Sequence, residues 1–232
     1  MNVSESIKFK YKIDVESAYI NYLPNNETSV KLANQCAESC KEVGMPYKMW
    51  EAFDGLGDYI KAPKHLENEN WLKWIKCPNP TLDKAEISNF LTHVSLWARC
   101  VEIDKPIVIL EHDAVMLQKF DTHAAFNCIN YLGSIEQVKN GFKFGPIPPH
   151  LQYYGLRTLC RAHSYSIDSF MARKLLSSVL ETGITKSIDV YMRADIFTQI
   201  QMGIYAFDKN METSIIPRNK TTEDNRICDK IF

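Results

Sequence analysis

The stretch Ile107-Val108-Ile109-Leu110-Glu111-His112-Asp113-Ala114 decides how this chain reads. Four apolar residues, entered through Pro106, run straight into an acidic cluster. A continuous apolar run of that length predicts a strand buried on both faces. Ligands of open α/β sheets collect beyond the carboxyl ends of the strands, and Glu111, His112 and Asp113 fall at that position. Two carboxylates separated by one residue suit a hard divalent cation, which can in turn hold a diphosphate. A strand running out into a solvated acidic turn is the other reading of the same residues.

The bulk properties narrow the class. A chain of 232 residues suits one domain and is long enough for a sizeable core. The formal net charge of −1 provides no global basic field for nucleic acid, though it leaves room for a local patch. The seven cysteines are odd in number, and none forms a Cys-x-x-Cys pair. Cys36 and Cys40 lie one helical turn apart, without the partners a zinc site needs. Reduced thiols in a cytoplasmic protein are the expectation. The first 16 residues lack the apolar core of a signal peptide, and no stretch is apolar for long enough to span a membrane. The Asn-x-Ser/Thr triplets at Asn2, Asn26 and Asn219 then carry no glycosylation meaning.

Outward from the central run, the pattern alternates strand and helix. Residues 1–16 read as a lead-in or edge strand, residues 17–207 as one α/β domain, and residues 208–232 as a polar tail. Residues 17–23 form a strand candidate. Asn26 opens a helix whose apolar positions Val30, Ala33, Ala37, Cys40 and Val43 keep helical spacing, with Gly44 as its stop. Residues 47–53 make a second strand, completing a βαβ unit. Residues 56–82, with Pro63, Pro78, Pro80, Trp71 and Trp74, read as a long, partly helical loop over the sheet edge, of the kind that serves as a lid.

Asp83-Lys84-Ala85-Glu86 is a capping box. The helix it opens turns Ile87, Phe90, Leu91, Val94, Ala98 and Val101 to one face. It turns Glu86, Asn89, His93 and Trp97 to another, which is either solvated or ligand-facing. Residues 120–132 read as a further helix. A strand at 161–166 leads into a helix capped by Ser166 or Asp168 and stopped by Gly183. A short helix begins at Ile188, and residues 204–207 form a late strand. Tyr153, Tyr154 and Arg157 belong to an aromatic, cationic loop suited to stacking on a sugar or base.

Five spaced features match one pattern. They are Tyr19-Ile20-Asn21-Tyr22-Leu23; Ala52-Phe53-Asp54-Gly55; Glu86-Ile87-Ser88-Asn89-Phe90-Leu91-Thr92-His93 with Trp97; Leu110-Glu111-His112-Asp113-Ala114; and His163-Ser164-Tyr165-Ser166-Ile167 followed by Ala172-Arg173-Lys174-Leu175-Leu176 and Ile188-Asp189. Together they resemble glycosyltransferase family 25, which includes lipopolysaccharide-biosynthesis glycosyltransferases, over roughly residues 18–207. The chain departs from that pattern where Asn25 and Asn26 replace arginines after the first strand. It departs again at His112, which replaces the middle aspartate of the acidic motif, and at Ser88 and Asn89, which replace a Gly-Cys pair.

The resemblance implies a GT-A-type α/β fold, a single domain whose mixed, mostly parallel sheet is flanked by helices. It implies an inverting hexosyl- or pentosyltransferase using a nucleotide-diphosphate sugar, most simply a UDP-sugar, with Mn²⁺ or Mg²⁺. It places Asp113 and Glu111 at the metal and puts Asn21, Asp54, Glu86, His93 and Glu111 around the donor. The base that deprotonates the acceptor would be Asp189, with His163 or His93 as alternates. A glycan is the family-typical acceptor. A hydroxymethylated DNA base is the second, since the chain is also similar to phage-encoded members; Tyr153, Tyr154 and the segment from Arg218 to Lys230 would then touch DNA. A nucleotide-sugar-binding protein without turnover is a third possibility. A dinucleotide-dependent oxidoreductase is disfavoured, because no Gly-x-Gly-x-x-Gly follows the first strand.

Overall fold

In the computed structural model, which describes residues 12–133, 145–146 and 162–208, the side chains of Ile107, Val108, Ile109 and Leu110 all lie fully out of solvent. The elements in chain order are β1 (Ile13–Asp14), β2 (Ala18–Tyr22), α1 (Glu27–Glu42), β3 (Tyr47–Glu51), two 3₁₀ turns (Lys64–Leu66 and Asn70–Trp74), α2 (Lys84–Ile103), β4 (Ile107–Glu111), β5 (Ala114–Met116), β6 (Thr122–His123), β7 (Ile129–Tyr131), β8 (Gly145–Pro146), β9 (Ser164–Ile167), α3 (Ser169–Thr182), α4 (Ile188–Tyr191), β10 (Gln199–Gln201) and β11 (Ala206–Asp208). Seven strands form one mixed sheet in the order β3-β2-β4-β9-β7-β10-β8. β3, β2 and β4 run parallel; β9 is antiparallel to both β4 and β7, and β10 is parallel to β7. Two short antiparallel pairs, β1 with β6 and β5 with β11, complete the described strands.

The two-sided burial of β4 follows from alternation along the strand. Ile107 and Ile109, with Tyr19 of β2, join the core cluster built on α2 and α3. Val108 and Leu110, with Ala18 and Ile20, join the cluster built on α1. Each such aliphatic side chain contributes about 1.5–3 kcal/mol by leaving water. The helices begin where their caps predict. Asn26 Oδ1 accepts from Ser29 N at 2.9 Å at the start of α1. Asp168, rather than Ser166, caps α3 by accepting from Met171 N at 2.8 Å. Gly44 and Gly183 take the left-handed φ values, +69° and +75°, that stop α1 and α3.

One expected element is corrected. Residues 120–132 do not form a helix; they supply β6 and β7. Asn127 at φ +48° breaks the chain direction, and β7 is wedged between β9 and β10, so non-local pairing overrides local spacing. The late strand runs Ala206–Asp208, and β10, not expected from the sequence, precedes it across Gly203 at φ +104°. The five described cysteines, Cys36, Cys40, Cys77, Cys100 and Cys128, are all buried, and Cys36, Cys40, Cys100 and Cys128 are free thiols. The aromatic loop with Tyr153, Tyr154 and Arg157, and the basic segment from Arg218 to Lys230, lie outside the described residues.

A buried histidine sets an acid limit on this fold. His123 is fully buried, with Nδ1 2.8 Å from Ser166 Oγ and Nε2 3.9 Å from Asp168 Oδ2. Burial, opposed by Asp168, brings its pKa down from 6.5 to about 4. Between those values the unfolded chain binds a proton that the folded chain refuses, so stability falls as pH drops through that window, by about 3 kcal/mol. His123→Asn should lower Tm at neutral pH yet flatten this part of the stability–pH curve, as read by urea melts at half-unit intervals.

Candidate active site

Because β3, β2 and β4 are parallel, their carboxyl ends meet at one edge. Asn21 stands level with Trp50 on one side and Glu111 on the other. A cleft of about 610 Å³, counting its open mouth, lies there. Asn21, Tyr22 and Leu23 line it from the end of β2, and Ala52, Phe53, Gly55 and Leu56 from the loop after β3. Ala85, Ser88, Asn89 and Thr92 line it from the first turns of α2, and Glu111, His112 and Asp113 from the end of β4.

The walls are locked together by a few specific contacts. The capping box of α2 is closed in both directions: Glu86 N donates to Asp83 Oδ1 at 2.8 Å, and Asp83 N donates to Glu86 Oε2 at 3.1 Å. Phe53 N donates to Thr92 Oγ1 at 3.0 Å, and that hydroxyl donates to Ser88 O at 2.9 Å. The backbone of Gly55 presses against the same helix, such that a Cβ there would lie 2.2 Å from Lys84 O and 2.6 Å from Ser88 Oγ. Asp54 folds the loop at the rim: its Oδ1 accepts from Leu56 N at 2.9 Å, and its backbone bridges to Lys61.

Glu111 is the centre of the polar wall. Asn89 Nδ2 donates to its Oε1 at 3.1 Å, and His93 Nε2 lies 3.3 Å from the same oxygen. Its backbone N donates to His163 O at 2.8 Å. Burial pushes the carboxyl toward the neutral form, but the hydrogen bonds from His93 and Asn89 outweigh it and hold Glu111 below its ordinary range. With 22% of its side chain exposed, Glu111 is an anion that faces the cleft at neutral pH. Two other polar atoms of the lining, Asn21 Nδ2 and His112 Nε2, are buried with no hydrogen-bond partner among the described residues. Buried nitrogens left in this state call for a ligand or water that completes them.

The structure thus brings Asn21, Glu111 and Asp113 to one cleft, with His93 fully buried directly behind Glu111. Glu86 is engaged in the helix cap, and Asp54 sits at the rim rather than in the lining. His163, at 1% exposure, packs against Tyr131 with Nδ1 3.4 Å from the phenol oxygen. Asp189, on α4, keeps partial solvent exposure and is not part of the lining. Tyr165 and Thr92 carry contacts that no spacing rule assigned to them. Tyr165 reaches His93 across 72 positions of chain, a relation invisible to local periodicity.

The donor set bears on a divalent cation. Among the described residues no group of three or more His, Cys, Asp or Glu side chains gathers to form a closed metal site. Glu111 and Asp113 offer two carboxylates at the cleft, and the described lining includes no lysine or arginine. Mg²⁺ and Mn²⁺ need only one or two protein carboxylates when substrate phosphates and water fill the other positions, so these residues fit an open site.

Comparison with known proteins gives one match and one blank. The family model described as glycosyltransferase family 25 (LPS biosynthesis protein) matches residues 20–192, which include every described residue lining the cleft. No curated protein matches the chain.

The close approach at Gly55 generates a direct expectation. Gly55→Ala should force the loop off α2, lowering Tm by several degrees and weakening ligand capture in the cleft together. Thermal melts and titration with a nucleoside diphosphate on the same variant read both effects.

Proposed function

The chain belongs to glycosyltransferase family 25 and is a glycosyltransferase, and from that premise we propose that the cleft binds a UDP-sugar with Mn²⁺ or Mg²⁺ and passes the sugar, with inversion, to a glycan hydroxyl. The observation that carries this reading is the ionised Glu111 beside Asp113 in a lining without a described cationic side chain. A diphosphate brought next to two carboxylates is repelled unless a cation lies between them.

Asp113, on the turn between β4 and β5 and in the cleft lining, would be the first ligand for that cation. Glu111 would then face the ribose, or the cation through water. When bound, a divalent cation there would supply positive charge against that which develops on the leaving diphosphate. Asn21 Nδ2 has a hydrogen to give and no partner among the described residues, which suits a carbonyl of the base or a ribose hydroxyl. Asp54 and Glu86 shape the rim and the helix start that enclose the nucleoside. We read the domain as GT-A-type, with the donor across the carboxyl ends of the parallel strands, a reading supported by the cleft at that edge of the mixed sheet.

Transfer also needs a base for the acceptor hydroxyl. His93 and His163 are buried at 0% and 1% exposure, whereas Asp189 retains access to solvent, and so to an incoming acceptor. Asp189 is therefore assigned as the base. The acceptor oxygen bonds to the anomeric carbon as the bond to the diphosphate breaks, and the hydroxyl proton passes to Asp189.

The test is a radiolabelled-sugar transfer assay across UDP-sugars. Glycans and hydroxymethylated DNA are offered in parallel, with Mn²⁺ or with EDTA. Label should appear on glycan, only with the cation present. Asp113→Ala should lower transfer by about 100-fold or more. Label on the modified DNA alone would replace the acceptor assigned here. Undiminished transfer in EDTA would remove the cation, and tight UDP-sugar binding with no product on any acceptor would make the protein a binder rather than a catalyst.

A further inference from the structure

Behind Glu111 runs a chain of fully buried hydrogen-bonding groups whose direction follows donor by donor. Trp97 Nε1 can only donate, and it lies 3.0 Å from the Tyr165 hydroxyl. The Tyr165 oxygen therefore accepts from Trp97. Its own hydrogen goes to its other neighbour, His93 Nδ1, at 2.7 Å. All three side chains have essentially no solvent exposure, so water offers no alternative partner. His93 Nδ1 is then the bare nitrogen of a neutral imidazole, and Nε2 carries the proton. That N–H faces Glu111 Oε1 at 3.3 Å, where it joins the amide of Asn89. A doubly protonated ring would leave the Tyr165 hydrogen with nothing to bond, and the opposite tautomer would turn a lone pair on a carboxylate. The stacked rings of His93 and Tyr165, 5.6 Å apart at 16°, hold the register between the two bonds.

We propose that Trp97 and Tyr165 are positioning residues for glycosyl transfer: they hold His93 as its Nε2–H tautomer and, through it, fix the orientation of the Glu111 carboxylate in the donor cleft. The proposal rests on the reading of Glu111 as a donor-facing group. It assigns work to two residues that never touch the donor. It also explains why the α2 face bearing Asn89, His93 and Trp97, one turn apart each, is polar yet buried from His93 inward.

The test has a spectroscopic arm and a kinetic arm. In a long-range ¹H–¹⁵N spectrum of the full chain with labelled histidine, His93 should show a protonated Nε2 and a bare Nδ1. A protonated Nδ1 there would overturn the proposal without any variant being needed. In Tyr165→Phe, and in Trp97→Phe as the second variant, the His93 signal should shift toward a mixture of tautomers. Transfer from a UDP-sugar, measured as kcat/KM for the donor, should fall about tenfold, the lower range expected when an outer hydrogen-bonding partner is lost. His93→Gln retains an amide donor toward Glu111 that needs no orienting hydroxyl. In that background Tyr165→Phe should cost less than twofold more. A purely structural role would give losses that multiply and that follow Tm, and that result overturns the proposal, as does a Tyr165→Phe enzyme within twofold of the parent. Glu111→Gln separates this failure from that of the cleft reading. If it leaves donor binding unchanged while the His93 tautomer is as described, the assignment of Glu111 fails and the proposal fails with it. If it abolishes donor binding while Tyr165→Phe does not matter, only the positioning chain fails.

Discussion

A carboxylate at the edge of a dry core must be given hydrogen bonds by the protein, or it takes up a proton. Glu111 imposes that constraint here. The four side chains before it are sealed between two helical layers, so the strand has no freedom to carry its end residue out to water. The donors must come from α2, and they must sit at the correct turn. Asn89 and His93, four positions apart, present two nitrogens to one oxygen. The height and rotation of α2 over the sheet are therefore set by this pair. The capping box at Asp83 and Glu86 and the close backbone approach of Gly55 hold the helix at that setting.

The antiparallel half of the sheet completes the arrangement. β9 lies beside β4, and its approach brings His163 O to the backbone N of Glu111 and the Tyr165 hydroxyl to His93. One neighbouring strand thus supports both the main chain and the side-chain contacts of Glu111. The parallel half, β3-β2-β4, supplies the open edge where a ligand can enter. The mixed sheet in effect divides its work, with one half forming the cleft and the other buttressing the wall behind it.

The cleft itself is left incomplete by the protein. Asn21 Nδ2 and His112 Nε2 lack partners among the described residues, and two acidic residues share the lining with no described lysine or arginine. Such a surface is costly to bury in isolation and becomes balanced when a polar ligand with its own counter-ion arrives. A nucleotide sugar has that polar character, which agrees with the family to which the chain belongs.

Much of this was determined by sequence alone, because it depends on local rules. The run from Ile107 to Leu110 could only be a strand buried on both faces. The caps at Asn26, Asp83 and Asp168 marked helix starts, and the spacing of Asn89, His93 and Trp97 marked a shared helical face. Five spaced motifs sufficed to indicate the family, and with it the expectation that Asn21, Glu111 and Asp113 meet. The tertiary structure alone decided what requires distant parts of the chain to touch. Residues 120–132 carried helical spacing but became β6 and β7, because pairing of β6 with β1 and of β7 with β9 and β10 outweighed a modest local preference. The polar face of α2 could have been solvated; only the approach of Glu111 and Tyr165 showed that it is buried and bonded. Glu86, aligned with that face, serves the capping box that the sequence had already marked. Periodicity reports which side chains point the same way, and it is the packing of other elements that determines what they meet there.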